Sequence, residues 1–186
     1  MSRPAHRPSQ RAVILDAVLT HLRREGAPTV SLETAARAAR VSKAGLMYHF
    51  ATKEALVRAL VDRVVDGHER QLGALLDGDL EHAPARARLT AYLTWALTTE
   101  HDTVELIMLG DPKLWEQMTD RWSERLSPWL DVPADTPQPE RSRLQAVRLI
   151  ADGSWFADAS GFLPVPADDR RALLGSALRL LDGDPA

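Results

Sequence analysis

Between positions 42 and 53 the chain gathers groups that can grip an anion. Lys43 and Lys53 carry ammonium groups, and Tyr48 and His49 add a phenol and an imidazole. Ala44 and Gly45 stand among them and are small enough to let the backbone approach a wall. Donors beside small residues suit a phosphate backbone, and tyrosine and histidine can also touch base edges or thymine methyls. Lys43 sits at the positive end of any helix that Ser42 opens, which again favours phosphate. A second chemistry is hydrolysis. His101–Asp102 and His68–Glu69 are adjacent pairs of the kind that hold metal in phosphohydrolases. Neither has the further histidine and aspartate at helical spacing that a metal site needs. No H-E-x-x-H and no glycine-rich phosphate loop occurs. A helical metal-dependent hydrolase is therefore a minor alternative, and no catalytic residue, metal ligand or cofactor is assigned.

The third set is aromatic. All five tryptophans lie beyond residue 94, and Trp115, Met118, Trp122, Leu126 and Trp129 recur at steps of three, four, four and three. That spacing is one stripe of a helix, and a packed core is its plainest reading. Three tryptophans in one such stretch nevertheless bring more aromatic surface than a small bundle usually buries, and each indole N–H needs a partner. A mostly apolar pocket with a few polar anchors is the ordinary form of a small-molecule site. Trp95, Met108, Trp115, Met118, Trp122 and Trp155 are its candidate lining residues.

The elements that must carry these groups are helices. Runs rich in Ala, Leu and Arg dominate, alternating β-branched stretches are absent, and prolines mark the breaks. A first helix is predicted over 10–25, with Val13, Ile14, Ala17, Val18 and Leu22 on one face and Gly26 as its stop. Ser31 caps a short helix to Ala38, Ser42 caps one of about seven residues, and Thr52 opens a long one toward Leu76. Further helices are predicted near 85–100, 102–109, 112–130, 140–161 and 166–181, with Pro128 a possible early end for the third of these. Residues 31–50, SLETAARAARVSKAGLMYHF, have the arithmetic of a helix-turn-helix: two short helices, a turn of about three residues, and small Ala35 and Ala36 where the second must pack.

The charge is divided along the same line. Residues 1–60 hold ten basic and four acidic side chains, the remaining 126 hold 13 and 22, and the whole 186-residue chain stands at −3. A basic third on an acidic body reads as a polyanion-binding module joined to a part that does not bind polyanions. The N-terminal MSRPAHRPSQR adds Arg3, Arg7 and Arg11, a possible minor-groove arm or an incidental charged tail. Absence of cysteine excludes disulfides and cysteine-ligated metal. No apolar run is long enough for a membrane span, and Asp16 interrupts the stretch behind the terminal arginines, so a cytoplasmic location without a signal peptide is expected.

Over about residues 10–62, most sharply in VSKAGLMYHFATKEALVRAL, the sequence resembles the TetR family of bacterial transcriptional regulators. The resemblance implies an all-α fold: a three-helix helix-turn-helix headpiece followed by a larger helical ligand-binding and dimerisation domain. Carried onto this chain, it implies a DNA-binding domain over 1–52, a connecting helix over 53–77 and an effector and dimer domain over 78–186. Lys53 matches the lysine that opens the fourth helix and contacts phosphate. Ser31, Ser42, Lys43, Ala44, Gly45, Tyr48, His49 and Lys53 are the DNA-contact candidates. The tyrosine common two places after the glycine is Met47 here, with Tyr48 beside it, which bears on the base or phosphate contacts.

ADGSWFADASGF looks like the penultimate helix of one branch of that family. Leu144, Val147, Ala151, Ser154 and Ala157, with Leu174, Leu178 and Leu181 of the last helix, are the candidate dimer interface; burial within one chain is the competing reading. The expected partners are a double-stranded DNA operator, a small-molecule effector and a second copy of the chain, with no membrane. The expected function is a ligand-responsive homodimeric repressor on a pseudo-palindromic operator. A ligand-independent or architectural DNA binder is the alternative.

Overall fold

Every helix start in the N-terminal third is marked by a hydroxyl. In the computed structural model, which describes residues 9–26 and 29–183, Ser9 accepts from the Ala12 amide at the head of α1 (Gln10–Glu25). Ser31 does so for Thr34 in α2 (Leu32–Ala38), Ser42 for Gly45 in α3 (Lys43–His49), and Thr52 for Ala55 in α4 (Lys53–Leu75). Each cap satisfies an amide that the helix itself leaves open, which contributes about 1 kcal/mol. Gly26 ends α1 in the left-handed conformation (φ 64°). The turn between α2 and α3 also needs a left-handed residue, and there the chain uses Arg40 (φ 54°).

Ile14, Val18 and Leu22 of α1 close over Ala35, Ala36, Leu46, Phe50, Leu56 and Leu60 to form the headpiece core. Val13, expected on the same face, is exposed instead. The body is built on the second half of α4 by α5 (Ala85–Thr98), a 3-10 helix (Thr103–Leu109), α6 (Trp115–Leu130), α7 (Gln138–Ser160) and α8 (Ala167–Asp182). The packing runs α5 on α7, with α4, α6 and α8 against α5. At 23 residues α4 is about 35 Å long, so one rigid rod spans both parts. Among the described residues there are no strands, and no helix is long and apolar enough to cross a membrane.

The helix predicted over 102–109 is a tight 3-10 turn, and α6 begins at Trp115 rather than 112. Pro128 does not end α6: it lies two residues before the helix end, and Arg88 takes the exposed carbonyls of Pro128 and Asp131.

The residues expected to pair two chains lie mostly inside one. Leu144, Val147, Ala151, Ser154 and Leu181 are buried within the protomer, and Ala157, Leu174 and Leu178 are half-buried. They form the stripe with which α7 and α8 meet the rest of the body. The apolar residues that α7 leaves outside are Leu149 and Phe156, with Gly153 between them.

Candidate functional site

The exposed surface of α3 is set by the burial of one residue. Leu46 is fully inside the headpiece, which turns Lys43, Ala44, Met47 and Tyr48 outward, while Gly45 and His49 lie at the flank. Tyr48 is 85% exposed and rests edge-on against His49. A large aromatic so open contributes nothing to the headpiece core. Met47, noted in the sequence as a departure from the family pattern but not among the DNA-contact candidates, shares this surface. Ser31 and Ser42 accept helix amides as caps, which uses a lone pair and leaves each hydroxyl its proton to donate. Arg11 belongs to the first turn of α1, with its guanidinium 4.6 Å from the centre of the Phe50 ring; Arg3 and Arg7 lie outside the described residues.

Both lysines are engaged by carboxylates. Lys43 donates to Glu33 at 2.6 Å and Lys53 to Asp111 at 2.5 Å. These hydrogen bonds hold the Glu33 and Asp111 carboxyls below the usual carboxylate range. Each carboxylate occupies a lysine with the same oxygen chemistry that a phosphate offers. Asp111 belongs to the loop before α6, so its bond to Lys53 joins body to headpiece. Arg63 of α4 grips Asp16 of α1 with two bonds at 2.8 and 2.9 Å, and Arg23 meets Asp102 at 2.7 Å.

The six residues expected to line an effector pocket divide. Trp122 and Trp155 line a cavity of about 510 Å³ between α5, α6 and α7, together with Tyr92, Phe156, Arg148 and Asp152. Their rings are 5.7 Å apart and tilted by 32°. Trp95 and Met118 are buried in the core, and Trp115, 56% exposed, stands on the surface at the start of α6. The side chain of Met108 lies outside the described residues. Leu126 also lines the cavity, whereas Trp129 is core.

Beneath that cavity lies a buried polar cluster. Glu105, 8% exposed, accepts from the Trp155 indole at 2.7 Å, from His68 Nε2 at 3.1 Å and from His101 Nδ1 at 3.0 Å. Burial alone drives its pKa upward, but the bonds from His101 and His68 and their charge outweigh that and bring it to about 2. An ionised carboxylate only accepts, so each imidazole turns an N–H toward it. That leaves His68 Nδ1 and His101 Nε2 buried without a partner among the described residues. Trp95 packs on both imidazoles, at 4.7 and 4.5 Å between ring centres, and gives its own N–H to Gln71.

The histidines singled out from the sequence therefore meet one carboxylate, and it is neither of their chain neighbours. Glu69 pairs with Arg125, and Asp102 caps the Val104 amide and holds Arg23. Glu105 went unnoticed, although an acid inside the apolar run VELIML was a usable signal. Arg125 and Arg121 of α6 also reach α4, through Asp66 and Asp62 at 2.8 Å each.

Comparison with known proteins bears on both parts. The family described as bacterial regulatory proteins, tetR family, matches residues 14–60, and the tetracyclin repressor-like C-terminal domain matches residues 54–182. No protein of curated description matches the sequence. A TetR-family transcriptional regulator from Rhodococcus sp. has a similar fold (TM-score 0.61, 18% identity, covering 92% of this chain and 98% of that one). So does the TetR-family member SCO1917 from Streptomyces coelicolor A3 (0.57, 21%, 91% and 98%). The multidrug binding protein EbrR, complexed with imidazole, is similar as well (0.55, 20%, 92% and 96%).

Proposed function

The chain belongs to the TetR family of DNA-binding transcriptional regulators, and from that premise we propose that it acts as a homodimeric, ligand-responsive repressor. The observation that carries the reading is the exposed surface of α3. Lys43, Ala44, Met47 and Tyr48 stand clear of a headpiece whose core is complete without them. In this reading α3 enters a major groove, Tyr48 and Met47 meet base edges, and Lys43 and Lys53 exchange Glu33 and Asp111 for DNA phosphates. Two such helices on one operator need two chains. The α7 surface of Leu149 (67% exposed), Gly153 and Phe156 supplies a seam: a side chain at Gly153 would meet nothing in the protomer, so a partner helix can approach closely.

The cavity lined by Trp122 and Trp155 is the effector site in this account. EbrR, of similar fold, is described as a multidrug binding protein. The route from cavity to DNA is physical. Trp155 is bonded to Glu105, Glu105 to His68 on α4, and α4 begins at Lys53. Arg121 and Arg125 tie α6 to the same helix. A ligand that shifts α6 or α7 therefore acts on the rod that orients the headpiece. It releases the operator only by binding the non-operator conformation more tightly, about tenfold for each ~1.4 kcal/mol of preference.

The test is binding of the purified chain to a labelled fragment from upstream of its own gene, at two salt concentrations with excess competitor DNA. Competitor-resistant binding by two protomers is the expected result. Binding that competitor abolishes at every fragment tried would favour an architectural protein, and none at low salt would overturn the headpiece assignment.

A further inference from the structure

The cavity between α5, α6 and α7 has a chemistry specific enough to name its ligand class. Four of its walls are aromatic: Tyr92, Trp122, Trp155 and Phe156. Its charged groups are Asp131, Asp152 and Arg148, two carboxylates against one cation. Asp131 makes no ion pair among the described residues. Asp152 accepts from the Tyr92 hydroxyl at 2.8 Å and from Arg148 at 3.2 Å. Burial, then the neighbouring Asp152 charge, pushes the Tyr92 hydroxyl well above its ordinary range, so it stays a neutral donor. Arg148 is different: it lies one turn away on the same helix and is half exposed. Such an exposed pair within one helix is weak. A planar cation of the protein's own thus rests on the carboxylate and is free to swing into water.

We propose that this cavity binds a planar aromatic cation, its ring against the part of Trp122 that lines the cavity and its charged nitrogen at Asp152 in place of Arg148. The proposal rests on the cavity being the effector site. The Trp122 and Trp155 rings, 5.7 Å apart, are too close to admit a third ring between them, which needs about 3.5 Å on either side. The ligand therefore lies on the cavity face of the pair, where the ring quadrupole favours positive charge. An anion drawn to the remaining N–H groups of Arg148 would lie beside Asp152 and face Asp131, two carboxylates against one cation. A neutral ring would strip water from the carboxylates without returning a donor. The volume of about 510 Å³ suits a compound of two to four fused rings.

The test uses three compounds of one ring system on the full-length protein at neutral pH, followed by quenching of tryptophan emission: 9-aminoacridine, protonated at that pH, neutral acridine and acridine-9-carboxylate. The aminoacridine binds about tenfold more tightly than acridine, and the carboxylate most weakly. Asp152→Asn, which keeps an acceptor for Tyr92, brings the cation down to the affinity of acridine and leaves acridine unchanged, so the variant's fold is checked by the same titration. Acridine or its carboxylate binding as tightly as the cation overturns the ligand class and leaves the effector cavity standing. So does an Asp152→Asn protein that keeps its full affinity for the cation. Binding of none of the three overturns the cavity and the class together.

Discussion

The headpiece and the body solve the problem of a core in opposite ways. From α1 to the start of α4 every buried side chain among the described residues is apolar, and polar groups serve as caps or lie outside. The body buries His68, Glu105 and Ser154 and ties its helices with Arg121 and Arg125. An apolar core packed from neighbouring segments is a rigid unit with one arrangement. A buried carboxylate that depends on donors from three other segments is expensive to break and changes the positions of all of them when it does. The first suits a part that presents a fixed surface, and the second fits the switching body proposed above.

That contrast can be broken from either side. The largest effect is expected in the headpiece: Phe50→Ala removes a fully buried ring and should cost about 3–5 kcal/mol in urea denaturation. DNA binding should be lost while the body retains the aminoacridine binding proposed above. Glu105→Gln should cost about 3 kcal/mol, because the amide cannot satisfy three donors. Its signature is the pH profile. The folded carboxyl titrates near 2 against 4.5 for an ordinary glutamate, so its contribution is complete above pH 4.5 and disappears as the pH falls toward 2. The difference in stability between wild type and variant should shrink over that interval; a difference independent of pH would remove the ionised hub.

Smaller effects sharpen the comparison at the joint between the two parts. Lys53→Ala should weaken binding to all DNA sequences and flatten the salt dependence by about one unit. Asp111→Asn, which frees the same lysine, should tighten it about twofold. Opposite signs in a fluorescence-anisotropy titration would identify the carboxylate as a competitor of phosphate. The smallest change is Arg40→Gly, which relieves a left-handed arginine in the turn and should stabilise the headpiece by about 0.5 kcal/mol, read from its melting temperature.

How far the sequence could be read follows the same division. Ser31, Ser42 and Thr52 each act on an amide three residues ahead, and such local signals placed the headpiece helices to within a residue. The hub joins Glu105 to a tryptophan 50 positions away, and no periodicity reports a contact of that range. The apolar stripe of α7 was visible in the spacing of Leu144, Val147 and Ala151, but a stripe does not say whether it meets its own chain or another. Trp115 fits the stripe of α6 by spacing and still lies outside, because the helix starts there before it reaches the core. His68, His101 and Trp155 were each visible as candidates, and an acid in an apolar run was the signal for Glu105, the residue that joins them.

The central claim is that α3 reads sequence for a pair of chains. It is tested most directly by selecting bound duplexes from a random-sequence pool with the full-length protein and with Tyr48→Ala. The account predicts enrichment of one pseudo-palindromic sequence bound by two protomers, with base preferences altered by the tyrosine variant. A pool left unenriched, or the same preferences with and without Tyr48, would contradict it.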